Sequence, residues 1–224
     1  ADDAELYLTV VRTSPAPGPQ SLSILAIEKE TQGLSFGRKY IRMGLNGSSN
    51  GEVILSKCEV PKANLVGPEG GYMPMFGAMS GVGLLGASAI AVGLAQTALA
   101  ESISYGKQRV VAGQPLGNYQ AVQFMVSEMS ALVDAGQAAL YQAGVAHLSA
   151  PPGPPFHAMK AKLFTTDMAL RVTDLALQVH GGAGYTKELV IERLYRDARG
   201  LTLHFGVTEP LKELVGKSLM GLKI

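Results

Sequence analysis

The chain of 224 residues is poor in the side chains that build disulfides and metal sites. Its single cysteine, Cys58, excludes an internal disulfide and any metal site made from several cysteines. The four histidines show no i,i+4 pairing with one another or with an acidic residue at a metal-ligand spacing. No zinc or iron site is therefore predicted.

Charge is also scarce: charged residues make up 17% of the chain and the formal net charge is +1. A balance this close to zero gives no reason to expect nucleic acid or an anionic membrane as the main partner. Hydrophobic residues reach 47%, enough for one large domain or two small ones with a sizeable buried core.

One uncharged run has the length of a bilayer span, residues 81–100 (GVGLLGASAIAVGLAQTALA). The chain lacks tryptophan, and no tyrosine or cationic residue stands beside the run as an interfacial anchor. Ser88, Gln96 and Thr97 interrupt it, and its many alanines and glycines would let neighbouring helices approach closely. We interpret it as a buried bundle helix and predict no membrane span.

The beginning of the chain is acidic (Ala1-Asp2-Asp3) and carries neither a basic region nor an apolar signal core. It leads almost directly into a strand-like segment, which is typical of a piece of a longer protein. With a single cysteine, the sequence fits a reducing compartment. We expect a cytoplasmic protein, or one of the mitochondrial matrix in a eukaryote.

The first third of the chain reads as β-structure. Runs rich in Val, Ile, Leu and Tyr cover residues 6–12, 22–27, 35–41 and 52–55. Between them lie turn signals, such as Pro15-Ala16-Pro17-Gly18 and the Asn/Gly/Ser stretch 46–51, because proline fixes φ while Gly and Asn accept positive φ. Residues 1–72 are predicted to form an antiparallel β unit of four or five strands.

From residue 73 the apolar spacing becomes helical. One long helix is predicted over 73–107 and a second over 118–148 with Asn118 as its cap. After the proline breaker 150–155, a third helix ends at Gly181-Gly182, a short one covers about 190–199, and the last begins near Thr208. Four main helices with short links predict an antiparallel four-helix bundle over 73–224, so the fold class is α+β.

Two neighbouring segments carry most of the functional signal: 178–185 (QVHGGAGY) and 192–199 (ERLYRDAR). Paired glycines leave the backbone open to something flat or charged, and the glutamine supplies an amide. The glycines follow a helix rather than a strand, so they do not form a dinucleotide fingerprint. The charged segment is interpreted as a salt-bridged helix that stabilises the bundle or a dimer.

These segments resemble the acyl-CoA dehydrogenase family. Further likenesses are 34–44 (LSFGRKYIRMG), 52–65 (EVILSKCEVPKANL), 67–71 (GPEGG), 108–113 (QRVVAG) with Tyr119-Gln120, and 204–210 (HFGVTEP). Their order matches the end of the family's middle β domain and its C-terminal helical bundle. The resemblance implies an FAD-dependent oxidoreductase that removes hydrogen across the α,β bond of an acyl-CoA thioester.

The resemblance also implies the cofactor contacts. Arg109 would meet the pyrophosphate of a flavin held mainly by a neighbouring subunit, because a planar guanidinium can engage two phosphate oxygens. The expected contacts are Arg109, Gln120, Gln178, Gly181, Gly182 and Thr208. A dimer or tetramer of the same or a paralogous chain is implied. Alone, Arg109 would be a surface or ion-pairing residue, Gln120 a buried amide and Gly181-Gly182 a helix end.

The family's catalytic carboxylate is missing from both places where its members carry it. The resemblance aligns these positions with Gly83 and Gly206. Loss of a general base typically costs a factor of ~10²–10⁴ in rate. Glu209 could serve if the local turn differs, although a normal helix would point it away. Otherwise another subunit supplies the base, or the protein does other flavin chemistry, or it is a non-catalytic structural subunit or a flavin-free oligomerising bundle.

Overall fold

The computed structural model describes residues 2–149 and 154–223. Two compact units divide the chain, residues 1–79 and residues 80–224, and the boundary lies inside a long helix. The first unit holds the first five strands and the start of that helix, and the second holds the rest of the helices and a short hairpin.

The β unit contains two small antiparallel sheets. Strand β1 (Leu6–Arg12) pairs with β2 (Leu22–Glu28), which pairs with β5 (Leu65–Val66). Strands β3 (Leu34–Lys39) and β4 (Gly51–Leu55) form a separate hairpin. The predicted strands are present, but they are divided between two sheets. Gly33 makes the turn ahead of β3 with φ 90, and its Cα lies so close to Ser56 that a Cβ would sit 2.4 Å from the Ser56 carbonyl oxygen.

Strand β2 is the most buried strand of the larger sheet, with buried residues on both of its faces. Ile24 and Ile27 are 5% and 1% exposed, whereas Leu6, Leu8 and Val10 on β1 are all about half exposed. These three residues alternate with more buried ones, so they share one face of β1. One side of the β1 strand is therefore apolar and open.

The helical unit follows the predicted order. Its elements are α1 (Tyr72–Gln108), a short β6–β7 hairpin (Val110–Val111 and Gln114–Pro115), α2 (Gln120–Ser149), α3 (Phe156–His180), α4 (Ile191–Leu201) and α5 (Thr208–Leu219). The α+β class and the antiparallel bundle are confirmed. Helix α2 begins two residues after the predicted cap Asn118, because Leu116–Asn118 forms a 3₁₀ turn of its own. Residues 150–153 of the predicted proline breaker lie outside the described residues.

Two groups of contacts give the directions of the helices. Near one end, Leu84 of α1 clusters with Ala158 and Met159 of α3 and with Leu211 of α5. Near the other end, the rings of Tyr105 on α1 and His180 on α3 lie 4.4 Å apart. Helices α1 and α3 therefore run parallel, and α2, which lies between them in sequence, runs in the opposite direction. We call these regions the Leu84 end and the Tyr105 end of the bundle.

Helix α1 packs through small side chains. Ala87, Ala91, Ala95 and Ala98 have at most 1% of their surface exposed, and Gln96 donates a hydrogen bond from Nε2 to Oε1 of Gln137 on α2 at 3.3 Å. By length and composition alone α1 could cross a membrane, and 41% of its apolar window is buried. A core helix of a soluble protein meets the same criterion. The contacts with α2, α3 and α5 are those of a bundle helix.

Candidate functional site

The Tyr105 end brings together two segments that are distant in sequence. Helix α1 is extended by one hydrogen bond from the Arg109 N–H to the Tyr105 carbonyl, 2.8 Å long. The β6–β7 hairpin then closes with a 2.7 Å bond from the Leu116 N–H to the Arg109 carbonyl. The Tyr119 hydroxyl donates to the Val111 carbonyl at 2.8 Å. These bonds hold Arg109 and Gln120 at the end of the bundle where α3 also finishes.

The predicted helix end at Gly181 is confirmed. Gly181 adopts φ 57, and its N–H bonds to the carbonyls of Leu177 and Gln178. The turn Gly181–Tyr185 follows as a short 3₁₀ helix. Gly181 and Gly182 are exposed, and a Cβ added to either would meet nothing within 4 Å. Gly184 is different: its Cβ would lie 2.8 Å from the His180 Cβ, so this glycine permits packing.

His180 anchors the glycine turn. It is 5% exposed, its ring packs on Tyr105, and its Nδ1 donates to the Ala176 carbonyl at 2.7 Å. Sequence reasoning missed this pair. No local pattern in the sequence indicates that Tyr105 would be the partner of His180.

The polar residues predicted at this end are open to solvent. Arg109, Gln120 and Gln178 are exposed. Within residues 2–149 and 154–223, the Arg109 side chain forms no hydrogen bond or ion pair. Its guanidinium is therefore free to bind an anion.

The other predicted residues lie at the Leu84 end. Gly206 lies beside the side chains of Leu84 and Leu211, and Thr208 follows two residues later. Gly83 precedes Leu84 in α1. Lys162, which contacts Gly206, and His180 are 18 residues apart on α3, or about 27 Å at 1.5 Å per residue. The predicted site residues of one chain thus form two separate groups.

The two glycines aligned with the base positions have different surroundings. Gly83 lies within α1, and a Cβ there would meet nothing within 4 Å. Gly206 has φ 97, and its Cβ would lie 3.0 Å from Leu84 Cδ2 and 3.1 Å from Leu211 Cδ1. A Cβ at position 83 meets no neighbour, whereas position 206 favours glycine both by its backbone and by its neighbours.

Thr208 begins α5 and is 8% exposed. Its hydroxyl donates to the Thr202 carbonyl at 2.9 Å, so the proton is committed within the protein while the oxygen can still accept a bond. Glu209 follows in the first turn of α5 and is exposed.

Comparison with known proteins identifies the fold as that of a known family. Residues 82–220, more than half of the chain, match the model described as "Acyl-CoA dehydrogenase, C-terminal domain". The chain belongs to the acyl-CoA dehydrogenase family.

The relatives are longer proteins. An acyl-CoA dehydrogenase of Bacillus subtilis is 35% identical over 97% of this chain and 57% of its own length. The mitochondrial isobutyryl-CoA dehydrogenase of Dictyostelium discoideum is 35% identical over 97% of this chain and 52% of its own. The solved butyryl-CoA dehydrogenase of Megasphaera elsdenii superposes with a TM-score of 0.92 at 30% identity, over 97% of this chain and 56% of that one. The chain thus spans about half the length of the curated relatives it matches.

Acyl-CoA dehydrogenases and their solved structures are FAD-dependent flavoproteins. The Tyr105 end fits part of such a cofactor. The open space above Gly181 and Gly182 admits a close approach, and a free guanidinium and two exposed amides stand at the same end. The Leu84 end fits less fully, because the Thr208 hydroxyl already donates to Thr202.

The charged segment of this acyl-CoA dehydrogenase-family chain forms α4. Arg196 donates to Glu192 through Nε at 2.6 Å and through a terminal nitrogen at 2.9 Å, which confirms the predicted ion pair within this helix. The hydrogen bonds from Arg196 lower the pKa of the Glu192 carboxyl, although desolvation opposes the shift. Leu194, Ala198 and Leu201 are buried, and α4 packs against α3. Throughout the described ranges, no group of three or more His, Cys, Asp or Glu side chains could hold a metal ion.

Proposed function

We propose that the protein containing this chain is an FAD-dependent oxidoreductase that acts on an acyl-CoA thioester. The observation that carries the proposal is that one end of a bundle of this family holds Arg109 together with Gln178, Gly181 and Gly182. When bound, FAD supplies the acceptor for the hydride that leaves the β carbon of the thioester.

The residues of this chain would hold the cofactor. Arg109 would bind the pyrophosphate with two N–H donors, and Gln178 and Gln120 would add amide bonds. Gly181 and Gly182 would let the backbone approach the cofactor because no Cβ stands in the way. At the other end, the Thr208 oxygen would accept a bond from the flavin part.

The two groups of residues support a cofactor shared between subunits. Since they lie about 27 Å apart along α3, one chain would serve one flavin with its Tyr105 end and a second flavin with its Leu84 end. A dimer or tetramer of this chain, or of this chain with a paralogue, provides that arrangement.

Reconstitution of the purified full chain with FAD tests the proposal. We expect a bound-flavin absorption spectrum, and we expect Arg109→Gln to weaken FAD binding by about tenfold or more, the typical effect of losing a charged hydrogen bond. Lys107→Gln is the matched control, because Lys107 is an exposed cation two residues away in the last turn of α1. No bound flavin, or an equal loss in both variants, would contradict the proposal.

A non-catalytic or half-site subunit is the second candidate. It is favoured by the glycines at positions 83 and 206, which the sequence resemblance aligns with the family's two base positions. In such an assembly a paralogous chain would supply the carboxylate that removes the α proton. In this chain Glu209 is the exposed carboxylate that follows the Leu84-end connection.

Restoring a carboxylate separates the two candidates. Gly83→Glu adds a Cβ that meets nothing within 4 Å, whereas the Cβ of Gly206→Glu would press on Leu84 and Leu211. If the family's base is missing, Gly83→Glu should raise turnover of an acyl-CoA by a factor of ~10²–10⁴, and Gly206→Glu should not. High activity of the unaltered chain alone, lost in Glu209→Gln, would instead assign the base to Glu209.

A further inference from the structure

Lys162 on α3 is the largest of the fully buried side chains among the described residues, with 0% of its surface exposed. Lysine is almost never fully buried unless it is paired. Ala158 and Met159, one turn earlier on the same face, belong to the apolar cluster with Leu84 and Leu211. A cationic side chain therefore lies beside the apolar cluster of the Leu84 end.

The partner of this lysine is a backbone carbonyl. Lys162 Nζ donates to the Gly206 oxygen at 2.6 Å, which is short for a nitrogen donor and typical of a charge-assisted hydrogen bond. In the part of the chain that the structure describes, no carboxylate forms an ion pair with Lys162. Asp167 on α3 and Glu209 on α5 act on it only through their charge at longer range.

Gly206 lies in residues 202–207, the connection between α4 and α5. Phe205 and Gly206 both have positive φ, 54 and 97. The left-handed conformation is unfavourable for a non-glycine residue such as Phe205. The ends of the connection are joined by the 2.9 Å bond from the Thr208 hydroxyl to the Thr202 carbonyl. The bond from Lys162 to Gly206 holds its middle.

We propose that Lys162 is a positioning residue for the 202–207 connection: its side-chain nitrogen holds the Gly206 carbonyl and so fixes the strained turn from which α5 and Thr208 begin. The inference rests on the proposed function, because Thr208 is the flavin contact that this connection would orient. Lys162 itself touches neither substrate nor cofactor in this scheme.

Lys162→Met tests the proposal, since methionine keeps the apolar stem and removes the donor. The matched control is Val172→Ala, a fully buried position on α3 ten residues away. By hydrogen–deuterium exchange of the full chain, the amides of residues 203–208 should exchange about tenfold or more faster in Lys162→Met. The Val172→Ala variant should not show this selective increase. FAD affinity should fall in Lys162→Met and stay near the wild-type value in the control.

A pH series distinguishes a hydrogen-bond role from a packing role. Protection of residues 203–208, expressed relative to unprotected peptide, should decrease in wild type as pH rises through the lowered pKa of Lys162, because a neutral amine donates a weaker hydrogen bond than an ammonium. It should stay level in Lys162→Met. Asp167 on α3 and Glu209 on α5 are the charged groups that act on Lys162, and His204 is the histidine within the connection itself. Wild-type amides at residues 203–208 that exchange as fast as unprotected peptide at every pH would overturn the proposal even if Lys162→Met failed to fold.

The outcomes separate this inference from the proposed function. If wild type binds no FAD, the proposed function is wrong, and the exchange data alone decide whether Lys162 holds the connection. If Lys162→Met folds and its 203–208 amides exchange within twofold of wild type, Lys162 is not a positioning residue. An equal increase in Lys162→Met and Val172→Ala would have the same meaning.

Discussion

At the scale of single residues, the chain combines two unusual environments, a fully buried lysine and a glycine with φ 97. They are linked by the bond from Lys162 to the Gly206 carbonyl. Removing water from an ammonium disfavours its charged form. Burial accordingly lowers the pKa of Lys162, and the charges of Asp167 and Glu209 only partly oppose the shift.

This pKa shift predicts how stability depends on pH. Between the lowered pKa of folded Lys162 and the ordinary lysine value of about 10.4, the unfolded chain binds a proton that the folded protein has released. The free energy of unfolding of wild type, measured against Lys162→Met by urea denaturation, should therefore rise with pH across this window and level off above it. Other titrating groups cancel in the comparison. A difference that falls with pH would show that the folded protein favours the charged lysine.

At the scale of elements, the bundle is joined at the Tyr105 end by one aromatic contact between α1 and α3. The ring of His180 is held by its hydrogen bond to the Ala176 carbonyl, one turn earlier on α3. Because the glycine turn starts at the next residue, this contact sets the position of Gly181 and Gly182 relative to Arg109. The two halves of the predicted flavin surface depend on it.

A double-mutant cycle measures that contact. Tyr105→Leu and His180→Leu should show a coupling energy of about 0.5–1.5 kcal/mol in the free energy of unfolding, the range typical of aromatic pairs. Tyr105→Leu combined with Val172→Ala is the control, and these two distant changes should add within about 0.5 kcal/mol. Coupling of the same size in both cycles would mean that Tyr105 stabilises the bundle generally.

At the scale of the whole molecule, the predicted site residues form two groups that are separated by about 27 Å along α3. A chain that binds one flavin at its Leu84 end and assists a neighbour's flavin at its Tyr105 end forms no complete site by itself. The chain spans about half the length of its relatives.

Mixing two defective variants tests this sharing. Arg109→Gln impairs the contact to the neighbour's flavin, and Thr208→Val impairs the contact to the chain's own. In a mixed dimer, one of the two sites combines an intact Thr208 with an intact Arg109. In an equimolar mixture half of the randomly formed dimers are mixed, so we expect FAD binding, measured by flavin fluorescence, to recover to about a quarter of the wild-type sites. It should remain low in each variant alone. No recovery would indicate that both residues serve the same site.

Much of the fold could be predicted because its causes are local. Strand β1 and the extents of α1, α3 and α4 follow from residue periodicity, with differences of at most a few residues. The end of α3 at Gly181 follows from the tolerance of glycine for positive φ. The split into two sheets could not be predicted, since strand pairing depends on contacts between distant residues. The roles of Arg109, Gln120, Gln178, Gly181, Gly182 and Thr208 toward flavin stay predictions.

The amino-acid sequence alone determined the order of strands and helices, the bundle and the glycine surface, because each depends on residues that are neighbours along the chain. Only the tertiary structure decided that Tyr105 would pack on His180, 75 residues away, and that Lys162 would be buried against Gly206, 44 residues away. The physical reason is that burial and partner choice depend on which helix faces meet. The periodicity of one helix defines its apolar face but does not specify the face against which it packs.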